Sequence, residues 1–374
     1  MYKNPAILNN YRTILHNEPI RGLRNIIAGS DNTGNILFLE TIGSQIQNCT
    51  PINIYTECLA DVEDFMSKYD ALILPMANMV SSSWASDDMV TFLEKHNIPI
   101  ILISVGVQVF DIEELHTFTL SRDAKRLLDL AKERSTSIGV RGEYTAKYLS
   151  DLGYNVRIIG CPSAFARFTS PVARPSLNKI ATHATLSGYW RESLISFFEF
   201  GQKYAQSYVA QNEARLLADA YNLSDDVLKE WVYDESRLRL VTENKLYEYS
   251  YYSSSAEKAE SFRNWIKQSL TFFTDIDKWM KHLSSFDFVV GTRFHGNMVG
   301  ILAGVPSLLL TTDLRVQELA EYHKLPHYPL TSITKDTTPE ELFSQVDFTD
   351  YLAYRSQAHN NYLEFLKENN LLPT

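Results

Sequence analysis

Arg293 and His295 stand two residues apart in the segment FDFVVGTRFHGNMVGILAGVPSLLL, residues 286–310. An apolar run, Phe286 to Val290, enters Gly291-Thr292 and delivers both side chains at what reads as the start of a helix. Helix N-termini attract anions through unpaired backbone N–H groups and aligned peptide dipoles. Arginine adds a planar fork that matches carboxylate or phosphate oxygens. Histidine, with an ordinary pKa near ~6.5, can give or take a proton at neutral pH. The cluster therefore suits a reaction on an anionic small molecule that needs a proton moved. A helix start and a neighbouring arginine depress an imidazole's pKa, and a bound polyanion raises it again. His295 is thus expected to be a poor acid in the empty site and a competent one with substrate bound. Thr292 and Gly296 flank the pair, and the small residues Gly296, Gly300, Ala303 and Gly304 allow backbone to approach ligand or sheet closely. The competing reading has His295 capping its own helix and Arg293 paired with a surface carboxylate.

Four more polar turns carry usable chemistry. Arg141 ends a short strand-like run and precedes a helix, so it is either a second anion clamp or a partner of Glu143. Asp31, Asn32 and Gly34 form a strand-to-helix turn that could bind phosphate or sugar hydroxyls through its backbone. It lacks the GxGxxG dinucleotide pattern, and a plain turn is the alternative. Gly106 and Gln108 follow the most strongly apolar run of the first half. Asp313 and Arg315 follow the strand after the opening segment and could bind ligand, with helix capping by Asp313 as the alternative. His323 and His327 are four apart, but Pro326 lies between them and spoils a helical metal pair, so no metal site is expected. GxSxG, GxxxxGK[ST] and HExxH are all absent, which weakens serine-hydrolase, P-loop and zincin readings.

Something must hold these turns together. Strand-like runs alternate with helical ones: Leu23 to Ala28, Ile52 to Tyr55, Tyr69 to Pro75, Ile98 to Val105, Ser137 to Arg141 and Arg157 to Gly160 in the first half. The alternation breaks near Pro162 to Asn178 and restarts with Lys179 to Thr185. Apolar residues from Phe262 to Met280 recur at helical spacing, and the tyrosine-rich stretch Glu243 to Ser255 reads as an exposed loop. This predicts an α/β protein of two Rossmann-like domains with a cleft between them. The expected boundaries are 1–170 and 171–345, with 346–374 a C-terminal helix packing back on the N-terminal domain. Ligands collect beyond the carboxyl ends of parallel strands, where all five turns fall, so the five should line one cleft.

Composition limits the partners. The 374 residues are 45% hydrophobic and 21% charged, enough for about two domains with sizeable cores. A net charge of -10 argues against nucleic acid, whose phosphates select basic faces. Three widely spaced cysteines, Cys49, Cys58 and Cys161, make no disulfide framework. A cytoplasmic protein is expected, without signal peptide or membrane span, and peripheral association with the inner membrane face stays open.

The order of the turns resembles the polysaccharide pyruvyl transferase family. The resemblance rests on Asn32-Thr33-Gly34-Asn35, Gly106-Val107-Gln108, Val140-Arg141-Gly142-Glu143 and Cys161-Pro162-Ser163-Ala164-Phe165. Its most specific part is Arg293-Phe294-His295-Gly296 followed by Ala303-Gly304-Val305-Pro306. It covers roughly residues 23 to 330. Asn35 and Cys161 stand where aspartate is frequent in the family.

The resemblance implies a fold like that of GT-B glycosyltransferases and transfer of pyruvate from phosphoenolpyruvate, as a ketal, onto a sugar. The sugar would be a nucleotide- or lipid-linked precursor of a surface or capsular polysaccharide. Phosphoenolpyruvate carries a carboxylate and a phosphate and wants at least two cationic anchors. Arg293, Arg141 and Arg315 are the candidates, with Thr292 and Gly296 beside them, and His295 is the general acid. Asp31, Asn32, Gly34, Gln108 and Asp313 would meet the acceptor, so the N-terminal domain would be the acceptor side and the C-terminal domain the donor side. Phosphoenolpyruvate enters as co-substrate, and no cofactor or metal is required. Two rivals share the same residues: a glycosyltransferase of that fold using a nucleotide sugar, and a carbohydrate-binding protein without catalysis.

Overall fold

The computed structural model describes residues 1–9, 19–28, 32–53, 57–167, 176–184, 191–233, 235–242 and 255–374. Two parallel sheets organise it. The first contains β1 (Pro5–Leu8), β2 (Thr50–Ile52), β3 (Ala71–Leu74) and β4 (Ile100–Leu102) in the order β2-β1-β3-β4. A parallel pair, β5 (Ile138–Val140) and β6 (Val156–Ile158), extends it through a bridge between Val105 and Val140. The second sheet holds β7 (Ile180–His183), β8 (Ala205–Ala210), β9 (Leu270–Phe272), β10 (Phe288–Gly291), β11 (Ser307–Thr311) and β12 (His327–Pro329). Its order is β12-β11-β10-β7-β8-β9, with every neighbour parallel.

Sequence explains why these runs become strands. Ala71–Leu74, Ile100–Leu102 and Phe288–Gly291 are apolar at every position, and every residue is buried. A strand apolar on both faces needs helices on both faces, the hallmark of a parallel doubly wound sheet. The chain is therefore α/β, with parallel sheets in two domains. In the second sheet the strand order reverses between β7 and β10, and their carboxyl ends open at that switch point.

Three cores result. One lies within the first sheet and its helices, one within the second. A third joins the two domains, drawing Ile36, Phe38 and Ile42 from the Gly34–Ser44 helix and Phe294, Met298 and Ile301 from the Phe294–Leu302 helix. The C-terminal helix Thr349–Glu368 adds Tyr351, Tyr362 and Phe365 to that core. Arg355 ties it down further by donating to the carbonyls of Ala164 and Ala166. Among the described residues no helix is long and apolar enough to cross a membrane.

Two local expectations are corrected. Leu23 to Ala28 belongs to a helix, Pro19–Ala28, and the first strand is Pro5–Leu8. Leu23, Ile26 and Ile27 are buried at helical spacing, a period that the short apolar run conceals. The Phe262 to Met280 stripe is two helices, Ala256–Ser269 and Ile276–Leu283, separated by β9. Residues 243–254 of the tyrosine-rich stretch, and 168–175 within the break from Pro162 to Asn178, lie outside the described residues.

Glycines give a direct test of this packing. A Cβ on Gly291 would overlap the His183 carbonyl oxygen, backbone that cannot turn aside. Gly291→Ala should therefore cost about 1–3 kcal/mol. Gly43, on a helix, would meet nothing nearer than Ile7 Cγ2 at 3.9 Å, so Gly43→Ala should stabilise by about 0.4–1 kcal/mol. Urea unfolding of both variants checks the pair, and equal effects would contradict this packing.

Candidate active site

The pocket at the β7/β10 switch point is lined by Asn32, Asn35, Ala77, Asn78, Arg141, Gln211, Thr292, Arg293, His295 and Arg315, among others. Both domains contribute. The Gly34–Ser44 and Phe294–Leu302 helices point their N-termini at it, so two helix dipoles converge on one space.

The three arginines are held differently. Arg293 is buried, and its Nη2 forms an ion pair with Glu213 and donates to Asn212 Oδ1 at 2.5 Å. Its Nε donates to the Ala184 carbonyl at 2.8 Å. The competing reading of a paired arginine is thus met, with a buried carboxylate in place of a surface one. Arg315 donates through Nη1 to Gln108 Oε1 at 2.9 Å and Asn78 Oδ1 at 3.3 Å, and through Nη2 to Asp313 at 3.3 Å. Arg141 is also buried, yet its guanidinium makes no hydrogen bond or ion pair among the described residues, and its Nε is enclosed without a partner. Burial pulls its pKa down to about 10, so it stays charged at neutral pH. A buried, uncompensated cation costs free energy unless an anion arrives.

His295 lies among them. Burial, then the charges of Arg141, Arg315 and Arg293, push its pKa down to about 3. The ring stacks on Phe38 at 6.0 Å between centroids, and its Nε2 lies 3.5 Å from Cys161 Sγ. Cys161 is itself a poor proton source, since burial raises its thiol pKa. In the empty pocket His295 is a neutral imidazole.

Behind the wall sits His183. Its Nδ1 accepts the backbone N–H of Arg293 at 3.3 Å, which puts the ring proton on Nε2. Burial, with the Arg293 charge, lowers its pKa to about 3, so it remains neutral. His183 thereby fixes the backbone that carries Arg293.

Most of the expected residues meet here. Asn32, Arg141, Thr292, Arg293, His295 and Arg315 line the pocket, and Gln108 reaches it through Arg315. Asn32 also shapes its own turn, accepting the Gly34 N–H at 2.9 Å. Gly34 and Gly296 are buried where side chains crowd their backbone: a Cβ on Gly34 would lie 2.5 Å from Gln211 Oε1, and one on Gly296 2.7 Å from the His183 ring. Asp313 is off the pocket wall. The capping alternative is the one realised: Oδ1 accepts the Val316 N–H at 2.9 Å, and Oδ2 takes Thr312 and Arg315. Asp31 lies outside the described residues. His323 accepts the Cys161 N–H at 2.8 Å, and among the described residues no group of three or more His, Cys, Asp or Glu could hold a metal. The pairing of Arg141 with Glu143 does not occur. Sequence reading missed Gln211, Asn35, Asn78, Glu213 and His183. Gln211 and Glu213 follow the carboxyl end of β8, and extending the strand-end rule to that strand would have found them.

With this geometry in place, comparison with known proteins is informative. The family model for polysaccharide pyruvyl transferase matches residues 26–313. The chain belongs to that family, and with it to the transferases. No curated protein matches the chain. Similar solved structures include an S. aureus MnaA–UDP complex, with TM-score 0.46, 10% identity and 98% of each chain covered. UDP-GlcNAc 2-epimerase from Neisseria meningitidis bound to UDP-GlcNAc has TM-score 0.46 and 11% identity, covering 97% of this chain and 99% of the other. Anabaena Alr3699/HepE with UDP and glucose has TM-score 0.40 and 11% identity, covering 98% and 99%. At these scores the likenesses bear on neither activity nor ligand.

The Arg293–Glu213 pair should behave as a buried ion pair. Glu213→Ala strands a guanidinium and should destabilise by about 3–5 kcal/mol. Chemical denaturation measures this, and a loss below about 1 kcal/mol, the worth of a surface pair, would contradict it.

Proposed function

We propose that this protein transfers pyruvate from phosphoenolpyruvate to two hydroxyls of one sugar, on a nucleotide- or lipid-linked precursor of a surface polysaccharide. The observation that carries the reading is Arg141, a buried guanidinium with no hydrogen bond or ion pair among the described residues, beside a neutral imidazole. A dianionic or trianionic donor supplies the missing charge. Its carboxylate and phosphate would sit among Arg141, Arg315 and the free edge of Arg293, under the two helix N-termini.

The anion then changes the imidazole. Negative charge offsets the arginines that keep His295 neutral, its pKa rises, and the ring takes up a proton. His295 delivers that proton to the methylene carbon of phosphoenolpyruvate, making the adjacent carbon an electrophile. One sugar hydroxyl adds to that carbon, and the second displaces phosphate, closing the ketal. Of the two hydroxyl protons, one returns to His295 and the other leaves with phosphate. Asn32, Asn35 and Gln211 face the arginines as carboxamides, which donate and accept and so suit sugar hydroxyls. Membership of the family fits a polysaccharide precursor as the acceptor.

Incubation with phosphoenolpyruvate and a panel of nucleotide- and lipid-linked sugars should release phosphate and add a ketal to one sugar. Removing the general acid (His295→Ala) should lower kcat by about 10²–10⁴ while phosphoenolpyruvate still binds. Arg141→Ala should instead weaken phosphoenolpyruvate binding. Consumption of a nucleotide sugar with phosphoenolpyruvate untouched would overturn the reading.

A further inference from the structure

Glu318 is buried in the seam between the domains, on the Leu314–His323 helix of the second. Its Oε2 accepts the Thr145 N–H at 3.1 Å, and its Oε1 accepts the Thr145 hydroxyl at 2.8 Å. Thr145 lies in the first turn of the Glu143–Asp151 helix, directly after Arg141-Gly142. The same hydroxyl accepts the Val107 N–H at 2.9 Å, so one carboxylate ties two pocket-forming turns of the first domain to a helix of the second. The approach is close: a Cβ on Gly142 would lie 2.7 Å from Glu318 Cβ and 3.0 Å from Oε2. The same helix crosses the seam twice more, at Leu314 N–H to the Phe110 carbonyl and at Arg315 to Gln108 and Asn78.

Glu318 is near enough to Arg141 for their charges to interact, yet it forms no ion pair with it among the described residues. Its oxygens are committed to Thr145. The charged and titratable groups that act on it are Arg141 from the strand end, Arg315 from its own helix, and Tyr144 from the facing helix, which Glu321 also reaches. Burial outweighs the Thr145 bonds and the two arginines, raising its pKa to about 7.

We propose that Glu318 is a positioning residue for the anion pocket: it holds the Arg141-Gly142 turn against the second domain, and its charge moderates the pull of Arg141 on a bound anion. The inference rests on Arg141 being an anion receptor, as argued above. A bound anion adds negative charge near Glu318 and engages Arg141, so it favours the protonated carboxyl. Anion affinity is then full below the pKa of the empty site, near 7, and falls as pH rises through it toward the higher pKa of the occupied site. His295 titrates with the same sign, from its empty-site value of about 3 up to its occupied-site value, so it adds a slope at the acid end that does not depend on Glu318.

Sulfate is the probe, because its charge is constant from pH 6 to 9. Calorimetric titration of the whole protein should show affinity falling on the order of tenfold across that range. Glu318→Gln keeps an acceptor for Thr145 and removes the charge. It should bind sulfate at pH 9 more tightly than the unaltered protein does, with a shallower profile that keeps only the His295 contribution. A merely structural role would weaken binding at every pH and leave the slope. A Glu318→Gln profile as steep as that of the unaltered protein overturns the inference, and so does a flat profile in the unaltered protein, which needs no variant to fold. If neither sulfate nor phosphoenolpyruvate binds the unaltered protein at any pH, the anion-pocket reading fails as well.

Discussion

Three arginine charges act on one partly buried imidazole, and the rest of the site follows from that. Burial and the arginines all oppose a proton on His295. Two of the arginines carry carboxylate partners, Glu213 for Arg293 and Asp313 for Arg315. Among the described residues Arg141 forms no ion pair, and it has an enclosed nitrogen with no acceptor. The protein as a whole is acidic, with a net charge of -10, so this local positive field is built by placement. The more of the site that burial shields from water, the less that field is screened. It acts as a receptor for an anion and, under the proposed reading, as a switch that arms the acid only when the anion is present.

The field exists only while the domains are aligned. Arg141 comes from the first sheet, Arg293 and His295 from the second, and Arg315 from a helix of the second domain that bonds to the first. The interdomain core, with Phe38 stacked on His295 and the C-terminal helix packed behind, makes that alignment a property of packing rather than of the pocket alone. His183 shows the same economy of means at short range. One neutral ring accepts the Arg293 N–H at the end of β7, and Gly291 and Gly296 leave room for it.

Much of this could be read in the sequence because strand ends are local. An apolar run followed by a polar turn often marks the carboxyl end of a parallel strand. Arg293 and His295, Arg141 and Arg315 were legible on that ground, before any strand order was known, whereas Asn32 follows a helix that the same rule misread as a strand. Partners across the fold were not. Glu213 marks only a strand end, and Glu318 is a single carboxylate in an ordinary helix; only the strand order β10-β7-β8 pairs the first with Arg293, and only the domain seam brings the second to Thr145. The first strand was missed because Pro5–Leu8 is too short to show a period, while the buried face of Pro19–Ala28 resembles a strand when only its apolar end is counted. Asp313 was left between ligand and cap, and capping won because its oxygens face backbone and Arg315.

The central claim is that His295 is neutral without substrate and protonated with it. Nitrogen-15 NMR of labelled histidine at pH 6 tests it most directly. The His295 ring should give neutral-imidazole signals in the free protein and imidazolium signals once phosphoenolpyruvate is bound, its pKa having climbed from about 3 to above about 6. A ring that stays neutral in the complex, or that is already charged without it, would contradict the account.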